Sequence, residues 1–396
     1  MIKVCIFSGN RAEYGLLSPI IKSLKKSKKI KTYFIISGSH LDKNFGKTID
    51  EINKDKVNIY KKIKLKSINY SKKEAVEYTP KNISEIIDKY CYCLKKIKPD
   101  YNLVYADRFE TFGATIASTQ MNIPTIHIEG GDKTEGGTLD DSVRHAMTKI
   151  SHIHITTNEN AKKRIINLGE EKWRVKNFGY SAMDYVSQKN YATKKEIEKK
   201  LKFKINSPLV LFTQHPVPLE NKNQNHNFSK ILNALKRLHK FDVKIIMTYP
   251  NSDFGGKDII KKIKKLKKYK NIHIFSSLGR YYYHGLLALN KIRNLVICVG
   301  NSSSGIKETA IFKCPVVNIG PRQNGRFRST NVFDVKYSTN QIYDTILKCI
   351  YDMKIRNKCN NSKNLYGGGK TGIKITKFIE NLNIPKSKIL LKKITY

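Results

Sequence analysis

Short apolar runs recur along the chain, each followed by a polar turn and then a stretch with helical spacing. The first series reads KVCIFSG, YFIISG, YNLVYAD, IPTIHIEG and HIHITT. It is interleaved with SPIIKSLKK, ISEIIDKYCYCLKKIK, TFGATIASTQM and NENAKKRIINLG. A second series follows residue 205: PLVLFTQH, VKIIMTYP, NIHIFSS, LVICVG and CPVVNIG, again with helical segments between. Nearly continuous apolar strands alternating with amphipathic helices predict α/β architecture, with parallel sheets covered on both faces. Two such series predict two Rossmann-like domains, over residues 1–185 and 190–370, with the seam in the polar, lysine-rich stretch 180–205. The segment TGIKITKFIENLN predicts a helix within 371–396 that packs back on the first domain.

The polar turns fall at strand ends, where open α/β sheets bind ligands. They are SGNRAEYG, YADRFET, HIEGGDKTEGGTLDD, TQHP and GNSSSG. So many polar strand ends predict one cleft between two domains.

Composition narrows the picture. The 396 residues are 40% hydrophobic, enough for two cores, and no apolar run is long enough to span a bilayer. The amino terminus enters a strand directly and does not read as a signal peptide. Seven scattered cysteines without zinc-finger spacing fit reduced thiols and a cytoplasmic setting. The formal net charge of +43 raises nucleic-acid binding. The lysines, however, are spread along the whole chain. In the densest run, KKIKKLKKYK at 261–270, they sit opposite an apolar face of Ile259, Ile260, Ile263 and Leu266. We read them as a solvated face and expect no specific nucleic-acid partner.

Against this basic background, residues 127–149 form an acidic, glycine-rich island. Asp107 follows LVYA and Glu129 follows TIHI, so both carboxylates leave strand ends, suited either to proton transfer or to capping. His215 follows PLVLFTQ in the second series, as acid, base, phosphate donor or structural histidine. The pair His127 and Glu129 lacks the further ligands a metal site needs, and no metal or other cofactor is expected. GNSSSGIKE joins a strand to a helix. Ser302, Ser303 and Ser304 there either bind an anion or cap the helix. Glu308 is placed to accept ribose hydroxyls or to face solvent. Arg322 and Arg326 either embrace a diphosphate or lie on the surface. Arg11 sits at the first strand–helix turn. The Walker pattern is absent.

Taken in order, SGNRAEYG, SGSHLDKNFG, YADRFET, HIEGGDKTEGGTLDDSVRHAMTK, LGEEKWRV, TQHP, YPNSDFGG, VGNSSSGIKE, NIGPRQNGR and NLYGGGK resemble the UDP-N-acetylglucosamine 2-epimerase family over roughly residues 3–375. RAE at the first turn and NSSSG at the later loop resemble its hydrolysing branch, which opens sialic and nonulosonic acid pathways. The resemblance implies the GT-B fold, with a UDP-sugar between two Rossmann-like domains. It implies catalytic roles for Asp107, Glu129, Asp140 and His215. It places UDP at Arg11, Ser302, Ser303, Gly305, Glu308 and Arg322. It also implies a homo-oligomer, a dimer or tetramer. The family reaction removes the C2 proton while UDP leaves C1, and water then adds to the glycal. On that reading the acidic island is the sugar side, with Arg144 and Lys149 as tethers. The sugar stays open between N-acetylglucosamine and a 2,4-diacetamido-6-deoxy relative. Rival readings are a non-hydrolysing epimerase, a GT-B glycosyltransferase and a non-catalytic binding protein.

Overall fold

The computed structural model describes residues 1–41, 49–65, 75–135, 139–217, 223–251, 255–292 and 295–396, without the side chains of Arg11, Ala75, Val76, Lys291 and Ile292. The chain divides into two compact units. Unit 1 comprises Met1–Asp132, Leu139–Gln188 and Tyr366–Tyr396; unit 2 comprises Lys133–Thr138 and Lys189–Leu365.

Unit 1 holds a seven-stranded sheet built from β1 (Ile2–Ser8), β2 (Ile30–Ile36), β3 (Ile59–Lys62), β4 (Tyr101–Tyr105), β5 (Thr125–Ile128), β6 (Ile153–Thr156) and β7 (Val175–Asn177). The order is β3-β2-β1-β4-β5-β6-β7, parallel throughout. Unit 2 repeats the plan with β8 (Leu209–Thr213), β9 (Lys244–Thr248), β10 (Ile272–Phe275), β11 (Val296–Gly300), β12 (Val316–Ile319) and β13 (Val332–Val335), in the order β10-β9-β8-β11-β12-β13. Both are doubly wound Rossmann orders. In each, the strand order reverses at the central pair, β1/β4 and β8/β11, and ligand sites of this architecture lie outside the carboxyl ends there.

Side-chain alternation explains why both faces of the first sheet are apolar. Val4 and Ile6 of β1 enter one core with Leu17, Ile20, Ile375 and Ile379; Cys5 and Phe7 enter the opposite core with Ile35, Tyr90 and Leu94. The Arg11–Lys26 helix begins with a capping box in which Asn10 and Glu13 satisfy each other's backbone N–H groups. The Thr371–Glu380 helix lies against it, with a hydroxyl bond of 2.8 Å between Thr376 and Ser23.

The strands that apolar patterning misses are β3, β7 and β13, all at sheet edges. Each is short, and β3 (IYKK) buries no side chain fully. An edge strand has one neighbour and one wet side, so it needs no apolar run. Within the basic run, the Gly256–Lys264 helix and the turn after it bury Ile259, Ile263 and Leu266, and most of the lysines are exposed. All seven cysteines are free, and six of them are buried. Among the described residues no helix is long and apolar enough to cross a membrane.

Candidate active site

In unit 1 the turns after β1, β4 and β5 lie side by side. Glu13 is buried and accepts from the Gly9 N–H at 2.7 Å and from the Thr111 hydroxyl at 2.8 Å, which ties the first turn to the start of the Phe109–Gln120 helix. Burial raises its carboxyl above the usual range, against these bonds. The backbone of Arg11 opens the first helix; its side chain lies outside the described residues.

The register sets Tyr105 beside Ile128, so Asp107 and Glu129 leave neighbouring strands. Ala106 and Glu129 both adopt left-handed backbone, at φ 59° and 68°, a costly conformation outside glycine. His127 holds the first of these turns: its Nε2–H donates to the Ala106 carbonyl at 2.7 Å, one residue before Asp107. Burial holds this imidazole at about 3, so it stays neutral and Nδ1 is left as an acceptor. The Thr148 hydroxyl reaches Nδ1 at 3.3 Å and the Arg144 carbonyl at 3.0 Å, and its single proton can serve either. Gly130 passes this pair so closely that a Cβ would stand 2.9 Å from Thr148 Oγ1 and 3.0 Å from His127 Nδ1.

Asp140, partly exposed, opens the Asp140–Ile150 helix. One turn on, Arg144 is buried. It pairs with Asp107, bonds Asp141 at 2.5 Å and donates to the Asp132 carbonyl at 3.0 Å. Asp107 is therefore held by a cation. Arg144 is the tether that the acidic island requires. Lys149, the second expected tether, turns instead to Glu170, at 3.0 Å.

Unit 2 uses different chemistry. Asn301 follows β11 and brackets the His215 backbone: its Oδ1 accepts the His215 N–H at 2.6 Å and its Nδ2 donates to the His215 carbonyl at 2.9 Å. The His215 Nδ1 accepts the Asn251 N–H at 3.0 Å, so the neutral ring carries its proton on Nε2. The Asn301 carbonyl accepts from Arg322 at 3.2 Å and from Gln323 at 2.9 Å. One asparagine thus joins the ends of three strands. Sequence reading passed over it, because bracketing a backbone leaves no charge or spacing signature. Gly300 has φ 126°, and a Cβ there would lie 2.0 Å from the Thr213 carbonyl oxygen, so β11 can approach β8 only with glycine.

Ser302 takes the N-cap position of the Ser303–Lys307 helix, a single turn, but its hydroxyl makes no cap bond. It pairs with Ser304 at 2.9 Å, and Ser304 pairs with the Tyr283 hydroxyl at 2.8 Å. Gly305 passes within 3.3 Å of Val316, measured to the Cβ it lacks. Glu308 is not solvated: it is buried, and its carboxylate meets His284 Nε2 at 2.7 Å. Arg326 is likewise buried. A small open hollow beside His215 is lined by Gln214, Phe228, Ile231, Ile259 and Tyr337 among others. Among the described residues no group of three or more His, Cys, Asp or Glu is placed to hold a metal ion.

The model of the UDP-N-acetylglucosamine 2-epimerase family matches residues 22–380. The chain belongs to that family. Among its relatives, the GDP/UDP-N,N'-diacetylbacillosamine 2-epimerase (hydrolyzing) of Campylobacter jejuni is 36% identical over 335 residues, 84% of each chain. The UDP-N,N'-diacetylbacillosamine 2-epimerase (hydrolyzing) of Legionella pneumophila is 32% identical over 393 residues, 98% of each. The chain therefore resembles the hydrolysing branch of the family. The crystal structure of UDP-GlcNAc 2-epimerase from Neisseria meningitidis bound to UDP-GlcNAc superposes with a TM-score of 0.80 at 21% identity, covering 96% of this chain and 100% of that one. The epimerase fold, two parallel-sheet α/β units of the GT-B class, is thus shared.

Proposed function

We propose that this family member is a hydrolysing 2-epimerase acting on a UDP-linked 2,4-diacetamido-6-deoxy sugar. It releases UDP and the C2-inverted free sugar. The observation that carries the reading is the set of acids at the β4 and β5 ends, with Asp107 paired with Arg144 and Glu129 on the adjacent strand. The family reaction needs groups that take a proton from C2 and return one to the opposite face. Asp107, Glu129 and Asp140 are assigned to those transfers. His215, with its proton on Nε2, is assigned as donor to the departing diphosphate. Ser302, Ser303, Gly305, Glu308, Arg322 and Arg11 are assigned to UDP. The diacetamido substrate is supported by the names of the two relatives above.

The chemistry balances in two steps. An enzyme base takes the C2 proton as the C1–O bond breaks, and the bridging oxygen leaves with UDP. Water then gives its oxygen to C1 of the glycal and its surplus proton to an enzyme base, while an enzyme acid gives a proton to C2. In heavy water the released sugar is expected to carry deuterium at C2. In oxygen-18 water the UDP is expected to remain unlabelled. UDP-linked epimer as the sole product would move the protein to the non-hydrolysing branch, and a sugar without C2 deuterium would exclude the mechanism. Side-by-side kcat/KM for UDP-N,N'-diacetylbacillosamine and UDP-N-acetylglucosamine tests the sugar; preference for the latter would overturn that part. A homo-oligomer is part of the same reading, checked by light scattering.

A further inference from the structure

The motif LGEEKWRV is not used by the reaction above, yet it organises a buried node. Arg174 is 1% exposed. Its guanidinium donates to the carbonyls of Ile389 at 2.7 Å, Leu391 at 2.8 Å and Lys388 at 3.1 Å, and also to that of His152 at 3.1 Å. Glu171 bonds its Nε at 2.7 Å and the Trp173 ring lies against it. So anchored, the segment delivers one ammonium group. Lys392 Nζ donates to the carbonyls of Lys149 at 2.6 Å, Ser151 at 2.7 Å and Thr148 at 3.4 Å, and it pairs with Glu170 at 2.8 Å. Glu170 is fixed in turn by His154 of β6 at 3.1 Å.

Those three carbonyls close the Asp140–Ile150 helix, where a cation is electrostatically favoured. The same helix carries Asp140, Asp141 and Arg144 at its other end. Thr148 touches His127, and His127 holds the turn that presents Asp107. A series of contacts therefore runs from Lys392 through Thr148 and His127 to the turn that carries Asp107.

We propose that Lys392 is a positioning residue: clamped in place by Arg174, it fixes the register of the Asp140–Ile150 helix and, through Thr148 and His127, the Asp107 turn. This assignment rests on the reading of Asp107 and Arg144 as reaction machinery. Small displacements of reacting groups are costly, and a shift of about 1 Å can cost about a hundredfold in rate.

The test compares Lys392→Met, Lys392→Arg and Thr148→Val with Lys386→Met, an exposed lysine of the same segment. Each is measured per folded molecule, and the readouts are kcat, UDP affinity and hydrogen exchange. Lys392→Met is expected to lower kcat about tenfold or more with UDP affinity within about twofold, and to speed amide exchange across residues 140–150 and at Asp107. Lys392→Arg restores most of both, and Lys386→Met changes neither. Thr148→Val, which keeps the packing and cuts the link to His127, lowers kcat in the same way and serves if Lys392→Met does not fold. Unchanged kcat and unchanged exchange in either variant overturn the proposal. A stability loss with kcat per folded molecule intact reduces Lys392 to a structural role and overturns it as well. The exchange arm needs no substrate. If the wild-type protein lacks epimerase activity, the functional reading fails while the mechanical coupling is still decided.

Discussion

The turn after β4 and the turn after β11 hold the same place in two copies of one topology, yet they are built from different materials. In unit 1 the turn is held by charge and by a buried neutral imidazole: Arg144 on Asp107, and His127 on the strained Ala106. In unit 2 it is held by an amide and hydroxyls: Asn301 around His215, and Ser302, Ser304 and Tyr283 in a row. A turn that must present an ionised acid needs a cation beside it, because an unpaired buried charge is expensive. A turn that must present donors needs only neutral groups, already satisfied and rigid. The polar interior of unit 1 is accordingly rich in titratable groups, and its behaviour should follow pH more closely.

The largest effect expected from breaking this contrast is on turnover. Asp107→Asn, Glu129→Gln and Asp140→Asn should each lower kcat by ~10²–10⁴-fold, the usual worth of positioned proton transfer, and leave UDP affinity nearly unchanged. Steady-state kinetics with calorimetry of UDP binding checks this. UDP affinity that collapses in parallel would remove the division of labour between the units.

Acid should separate the units next. Burial holds His40 and His127 at about 3 and His152 at about 4, all in unit 1. A histidine with a depressed folded pKa contributes fully above its unfolded value near 6.5, and the contribution is lost as pH falls from there toward 3–4. Each such group costs about 1.4 kcal/mol per pH unit within that window. Glu170, which burial raises but its bonds to His154 and Lys392 hold down at about 2, adds a loss below its unfolded value near 4.5. Glu13, raised by burial, works in the opposite sense. The single tryptophan, Trp173, lies in unit 1 and reports it alone. Its fluorescence transition on acidification should precede the loss of far-ultraviolet circular dichroism; coincident transitions would contradict the contrast.

Asn301→Ala sharpens the comparison from the other side. It removes the two side-chain bonds to the part-buried His215 N–H and C=O, at about 1–2 kcal/mol each. Urea unfolding should show a loss of about 2–4 kcal/mol, and UDP affinity should fall too. The smallest effect is expected at the basic face. Lys264→Ala should leave stability within about 0.5 kcal/mol, and binding to random DNA should be weak and disappear with modest salt. Salt-resistant, sequence-dependent binding would show that the lysines are more than a solvated face.

The central strands and the polar strand ends were legible from the sequence because burial on both faces enforces apolar runs, and ligand turns interrupt them. Asp107, Glu129 and His215 stand out for the same reason, as charged or titratable residues directly after such runs. The edge strands β3, β7 and β13 lack that enforcement. Asn301 and Lys392 escaped for another reason, and His127 shows in the sequence only as a candidate metal ligand. Each acts through backbone groups that three-dimensional neighbours bring to it, and Lys392 lies more than two hundred residues from the carbonyls it satisfies. A lysine among 75 basic residues carries no mark of its own.

Unit 1 is assembled from both ends of the chain, with Tyr366–Tyr396 joining strands laid down before residue 189. This has a bearing on biosynthesis. Domains generally fold as units during translation, amino-terminal ones first, but here the order is inverted. Unit 2 has all of its residues by Leu365, whereas unit 1 waits for the Thr371–Glu380 helix and for Lys392. A ribosome that stalls or terminates early would release a chain with a complete second unit and an open first one. The Asp140–Ile150 helix, which carries Arg144, would then lack the bonds that Lys392 supplies to its closing carbonyls. Assembly of the proposed proton-transfer groups is in this way deferred until the message has been read almost to residue 396, so a finished first unit certifies a chain read that far.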